Sequence, residues 1–344
     1  SGLFFVFPSV NIDNWYRLGN QEPRLTFWLI LTIFLFYLAL KIEKKIFLIL
    51  AILSSLGVYL TKENGLAFFV LPLIWLIFSF TKEGKSSRKK ILIFFLANLI
   101  LLLLSRAGPY FLGVKSGYLE AYRLDFYWIV KNFRWYFYFL KESFGIFLWL
   151  SLFSLIWQLF LVFKGQLKNK TFLIWEVSFL ILFLTFFALQ LPLILFEQRY
   201  LLPATTSLAL FLGTSLFFLL EKVSSFRPFF QKSIYFIFFL LIINFLFYNG
   251  IRIRNYIGNS LKLNCLNWEM VSYLAQNMPE HTNLYFNFPR GDQGQEYLVN
   301  IKKQLPLFFK RSDLKVDYYE KSKTIGESSL LISNPKLLFY PEAL

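Results

Sequence analysis

The residues able to do chemistry in this chain are the few charged side chains that interrupt long apolar runs. The first group is Lys62-Glu63, in YLTKENG between two such runs. There a lysine could hold a phosphate and a glutamate a hydroxyl; the same pair also reads as a polar turn with a snorkelling lysine. The second is Glu197-Gln198-Arg199-Tyr200 in LFEQRYLLP, where only four polar residues separate two apolar segments. Charges at such a place are functional or paired. The planar guanidinium of Arg199 matches two phosphate oxygens, unless it is held by Glu197. The third is a set of carboxylates, Asp13, Glu22 and Glu63, any of which could take a proton from a hydroxyl given a suitable pKa.

The fourth group lies in 106–142, which begins at Arg106 and ends in the Gly- and Pro-free stretch LEAYRLDFYWIVKNFRWYFYFLKE. At helical spacing Arg123, Tyr127, Lys131, Arg134, Tyr138 and Lys141 form one stripe. Such a basic, aromatic helix lies in a membrane interface. It either anchors to anionic headgroups or serves as a platform for a polyprenyl phosphate or pyrophosphate head. Glu176, beside Trp175 and close to one end of its apolar run, reads as an interfacial carboxylate.

Composition removes other chemistries. A single histidine, His281, excludes His-based zinc, di-iron and Ser-His-Asp sites within the chain. The single cysteine, Cys265, leaves no intramolecular disulfide or CxxC pair. No GxxxxGK[ST] loop occurs. Catalysis would fall to carboxylates, Lys, Arg and Tyr, with no metal ligand set to name; a divalent cation remains open as a cofactor.

The elements that must position these groups are apolar helices. Of 344 residues 57% are hydrophobic, 21% aromatic and only 16% charged, against about 25% charged in a soluble domain. The apolar residues fall into blocks at about 25–40, 46–60, 65–80, 91–105, 143–163, 172–196, 201–220 and 234–248, the pattern of membrane spans. The second and third are short enough to be two short spans or one re-entrant hairpin turning at Lys62-Glu63-Asn64. Leu3–Pro8 reads as the end of a preceding helix, and Ser1 is not an initiator Met. The chain therefore reads as a fragment, or alternatively as a cleaved precursor or one with a tag scar at Ser1-Gly2.

Charge orients the spans. Loops 41–45, 81–90, 164–171 and 221–233 carry 14 basic residues in 36 positions, while 9–24, 61–64, 106–142 and 197–200 carry 10 in 61. The denser set should face the cytoplasm, which sends the tail outside with the remaining 12. The net charge of +16 then reflects topology and membrane lipids, and no nucleic acid partner is implied. In the tail, Asn267 could cap a helix with an apolar face of Trp268, Val271, Leu274, Ala275 and Met278, stopped by Pro279. Strands are predicted at Leu284–Phe288, around Leu314–Tyr319 and at Ser329–Ser333, with a helix from Gln293 to Leu305. The fold class is an all-α polytopic membrane protein of about eight spans (1–250) with a small extracytoplasmic α/β module (251–344).

Over about residues 7–220 the order of features resembles the membrane-embedded GT-C superfamily of glycosyltransferases, nearest to its protein O-mannosyltransferase-like branch and bacterial relatives. The matching residues are Glu22 before a long span, Lys62-Glu63 followed by a helix with Pro72, and Arg199-Tyr200 followed by Pro203. The resemblance implies a multi-pass enzyme of the plasma (cytoplasmic) membrane. It would transfer a sugar from a polyprenyl-phosphate donor to a glycan, lipid or protein acceptor on the outer face. It assigns the donor phosphate to Arg199 and Lys62, with Arg106 as a third, and the orientation of sugar or acceptor to Glu63, Tyr200 and Glu22. The family's principal acid lies in a first outer loop that would precede Ser1, so the catalytic residue is expected upstream, and neither Asp13 nor Glu22 takes its place. Phe7-Pro8 stands where eukaryotic relatives have His-Pro. The competing readings are a lipid-linked glycan flippase or transporter, and a non-catalytic membrane scaffold.

Overall fold

The structure, a computed structural model, describes residue 4 and residues 21–42, 44–81, 83–111, 125–167, 170–193, 198–224, 227–287, 292–318 and 329–333. The chain divides into two compact units, Ser1–Gly250 and Ile251–Leu344.

The first unit is helical. Its elements are α1 (Gln21–Lys41), α2 (Lys45–Thr61), a 3-10 turn (Glu63–Phe69) running into α3 (Val70–Ser79), and α4 (Arg88–Phe111). They are followed by α5 (Phe126–Phe144), α6 (Ile146–Phe163), α7 (Lys170–Gln190), a 3-10 turn (Gln198–Leu201) and α8 (Leu202–Val223); α9 (Pro228–Asn277) begins here and runs on into the second unit. Among the described residues five helices are long and apolar enough to cross a membrane: α1, α6, α7, α8 and the first part of α9. That is the make-up of a multi-pass membrane protein. α2 and the 3-10 turn with α3 are shorter apolar helices, broken from each other where Lys62 adopts an extended backbone.

Helices α1 and α2 form an antiparallel hairpin. Thr32 Oγ1 donates to Ser54 Oγ at 2.8 Å, and the Trp28 indole lies against Gly57, where a Cβ would come within 2.3 Å of the ring. Glycine is what lets the indole approach the helix backbone. Aromatic rings join the next layer: Phe36 of α1 stacks on Phe94 of α4 at 4.0 Å, and Trp75 of α3 meets Trp175 of α7 at 4.6 Å. α7 and α8 pair extensively, and α6 packs on α8. Outward faces carry exposed Phe27, Phe34, Leu103, Ile156 and Phe236, the surface lipid requires.

The stretch expected to form an interfacial helix is helical, as α5. Asp125 caps it, accepting from the Tyr127 N–H at 2.9 Å. Asn132, Tyr136, Leu140 and Ser143 face inward, while Tyr127, Arg134, Tyr138 and Lys141 are exposed. Arg123 lies outside the described residues.

In the second unit α10 (Asp292–Phe309) connects β1 (Asn283–Asn287) to β2 (Lys315–Tyr318), and β3 (Ser329–Ser333) completes a parallel sheet in the order β2-β1-β3. Leu284 and Phe286 of β1 and Val316 of β2 are buried with Val271 and Leu274 of α9 and Ile301 and Leu305 of α10. The sequence suggests a separate helix capped by Asn267; instead α9 runs unbroken through that position. No proline occurs between Pro228 and Pro279 to interrupt it.

The end of α9 is closed by Arg311. Its guanidinium donates to the carbonyls of Ala275, Met278 and Pro279 and grips Asp313 at 2.8 Å, satisfying acceptors a helix end leaves open. The Asp313 carboxyl also accepts from the His281 N–H at 3.2 Å. Arg311 holds that carboxyl well below the usual carboxylate range. A depressed folded-state pKa contributes stability above the unfolded value, about 3.9 for Asp, that is lost as pH falls through and below it. Asp313→Asn should therefore lower the hydrogen-exchange protection of β1 amides at neutral pH in the full chain. After correction for intrinsic exchange, its gap from the unsubstituted protein should close as the pH drops below about 4.

Candidate functional site

Three of the side chains singled out in the sequence come together. Glu22 sits in the first turn of α1, where the helix dipole favours an anion. Lys62 follows the last turn of α2 and donates its ammonium to Glu22 Oε1. Tyr200, in the 3-10 turn before α8, places its ring 4.5 Å from the Lys62 Nζ, a cation–π contact. The Lys62 and Glu22 side chains are only 9% and 5% exposed, so this is a buried ion pair and not a surface one.

The local chain explains the position of Lys62. The 3-10 turn folds back on α2 so closely that a Cβ at Gly65 would lie 2.2 Å from the Val58 carbonyl oxygen. The Gly65 N–H in turn donates to the Lys62 carbonyl at 2.9 Å. A side chain at 65 would force the turn and α2 apart. Asn64, which the sequence reading passed over as part of the turn, is buried beside it.

Two further buried polar side chains lack partners among the described residues. Thr26, one turn along α1 from Glu22, is buried with no hydrogen-bond partner for its Oγ1 among the described residues. It lines an apolar groove of about 330 Å³ with Pro23, Phe27, Ile30, Phe34 and Leu202. Leu202 is two residues from Tyr200, so the groove begins where the polar cluster ends. Gln190, at the end of α7 that leads toward the Tyr200 turn, is fully buried with neither amide atom bonded among the described residues. Asn132 of α5 fixes the chain just beyond it, donating to the carbonyls of Leu191 and Leu193 at 2.9 and 2.6 Å. An isolated Thr, Asn or Gln in an apolar run signals such a role in the sequence, but not which partner it meets.

The backbones of Glu63, Arg106 and Arg199 lie in helical turns, while their side chains, like Asp13 and Glu197, lie outside the described residues. Among the described residues no group of three His, Cys, Asp or Glu could hold a metal ion.

Glu176 lies inside the helix packing. It is fully buried between three helices, accepting from Gln158 Nε2 of α6 and Ser215 Oγ of α8. Ser154 of α6 ties the same place together, donating to the Ser215 carbonyl at 3.0 Å. Sequence position put Glu176 near a helix end; the packing of α6 and α8 on α7 encloses it.

Comparison of the chain with protein-family models, curated proteins and solved structures finds no match to any of them.

Breaking a buried ion pair from one side leaves an uncompensated charge and costs about 3–5 kcal/mol. Glu22→Ala should thus lower the unfolding temperature of the purified protein more than the double substitution Glu22→Ala/Lys62→Ala does. A double-mutant cycle by thermal unfolding reads the coupling directly.

Proposed function

We propose that the chain is part of a membrane glycosyltransferase of the GT-C kind, moving a sugar from a polyprenyl-phosphate donor to a glycan, lipid or protein acceptor on the outer face of the membrane. The observation that carries this reading is the convergence of Glu22, Lys62 and Tyr200, from three separate helix ends, into one buried cluster at the head of an apolar groove. A lipid-linked phosphate has the same two parts, an anionic head and an apolar chain.

In this reading the Lys62 ammonium, held in place by Glu22, meets the donor phosphate together with Arg199, with Arg106 as a third cation. A fixed positive charge in a site poor in water stabilises the phosphate as it departs. Tyr200, Glu22 and Glu63 orient the sugar or the acceptor, and the unbonded Thr26 hydroxyl and Gln190 amide suit a ligand rich in hydroxyls. The second unit belongs on the outer side, as the distribution of Lys and Arg implies. The transporter reading draws on Glu176, a carboxyl buried within the helical unit.

Incubating membranes that contain the full-length protein with a radiolabelled polyprenyl-phosphate sugar separates the two. Transferase activity moves the label from lipid phosphate to an acceptor, whereas transport changes only the leaflet in which the labelled lipid lies. Losing one charge-assisted phosphate contact costs about 1.5–3 kcal/mol. Arg199→Ala and Lys62→Ala should each lower transfer at least about tenfold; unchanged turnover in both would remove these residues from the mechanism.

A further inference from the structure

The first part of α9 is the least covered of the five candidate spans, with 11% of its stretch buried against 72% for α8. It is tied to the end of α5 by the Tyr248 hydroxyl, which donates to Glu142 Oε2 at 2.6 Å, and by Asn249, which donates to the Ser143 carbonyl at 3.0 Å. Beside these bonds a groove of about 470 Å³ runs between α9 and the corner where α5 meets α6, a volume in the range of small-molecule sites. On α9 its wall is Leu241, Asn244, Phe245 and Tyr248, one face of the helix by spacing.

One end of the groove is polar and the other apolar. Lys141 and Glu142, in the last turn of α5, put one charge of each sign beside Tyr248. The Tyr248 hydroxyl donates a single hydrogen bond, whereas a carboxylate accepts about four, so the negative charge of Glu142 is not cancelled by it. Asn244 stands about one turn, or about 6 Å, further into the span. It is the only polar residue between Phe236 and Phe247, it is exposed, and no described residue is bonded to its amide. Asn249, by contrast, also meets the Phe245 carbonyl. An amide facing hydrocarbon without a partner is costly. Leu241 and, on α6, Phe147 begin the apolar end. A second cavity of about 230 Å³ shares Phe147 and Phe245 and lies further toward the start of α9, among apolar side chains of α8.

Paired charges, then an amide one turn deeper, then hydrocarbon match the order of groups in a zwitterionic glycerophospholipid: headgroup, ester carbonyl, acyl chain. A polyprenyl phosphate offers Asn244 no ester carbonyl, and a purely anionic headgroup would face the Glu142 carboxylate. We propose that this groove holds a glycerophospholipid with a primary-amine headgroup, its phosphate on Lys141, its ammonium on Glu142 and an ester carbonyl accepting from the Asn244 amide. None of these residues is assigned to sugar transfer, so the site stands or falls independently of that activity.

The test titrates phosphatidylethanolamine into the delipidated full chain in detergent and counts bound lipid by native mass spectrometry. The diester lipid should bind about fivefold more tightly than its dialkyl-ether analogue, the worth of one neutral hydrogen bond. Asn244→Leu should remove that difference and leave binding of the ether lipid unchanged. Phosphatidylethanolamine should also bind more tightly than phosphatidylglycerol with the same chains. Glu142→Gln, which keeps an acceptor for Tyr248, should erase that preference. Equal binding of ester and ether lipids to the unsubstituted protein would overturn the proposal, whatever the variants do. So would an ester preference that survives Asn244→Leu, or binding of phosphatidylglycerol as tight as that of phosphatidylethanolamine.

Discussion

A polar group between apolar helices in a membrane has no water to return to, and the order of this helical unit follows from that constraint. Several such groups find their partners on a neighbouring helix. Thr32 bonds Ser54 across α1 and α2, and Tyr59 donates to Asn98 at 3.1 Å across α2 and α4. Ser154 reaches the Ser215 carbonyl across α6 and α8, and Asn249 of α9 donates to the Ser143 carbonyl at the end of α5. Apolar faces alone would let these helices slide, because lipid is as good a solvent for Leu as another helix is. A hydrogen bond between two named positions sets the register instead.

The same constraint acts on charge, with two outcomes. At the end of α2 a carboxylate is met by a cation, Glu22 by Lys62, beside a groove that opens on the apolar surface. Deep between α6, α7 and α8 a carboxylate is met only by neutral donors. A pair at a helix end can exchange one partner for an incoming anion without dismantling any helix contact. The enclosed carboxyl cannot, since its ligands are also the bonds that hold three helices together. The first arrangement suits a substrate and the second a tie that holds three helices together.

Much of this was legible in the sequence. The eight apolar blocks fall on α1 to α4 and α6 to α9, because long uncharged runs have few other stable forms, and β2 falls where Leu314 and Val316 alternate with polar neighbours. Glu22, Lys62 and Tyr200 were each identifiable as polar residues at the ends of apolar runs. What the sequence did not contain was their meeting, since the separations of 40 and 138 positions between them are closed by helix packing and not by local spacing. The partners of Glu176 were hidden for the same reason. Its position along α7 put it near an end, and only the lateral packing of α6 and α8 encloses it. Asn267 misled because a good capping residue is also tolerated mid-helix when nothing nearby ends the helix.

The high aromatic content has a physical use in such a unit. Without a hydrophobic driving force between helices in lipid, association rests on polar bonds and on contact area. A planar ring gives a large contact for few rotatable bonds, and paired rings add about 0.5–1.5 kcal/mol beyond area alone. Phe36, Trp75, Phe94 and Trp175 do this across four helices. The short helices α2 and α3 have too little length to be held by many such bonds. Trp75 compensates in α3, as one large side chain locks ten residues against α1 and α7. The 3-10 turn that precedes α3 is thereby fixed from its far end, and with it the residue that starts the turn's approach to α2, Lys62. The placement of the charged cluster thus depends on an aromatic contact that carries no charge.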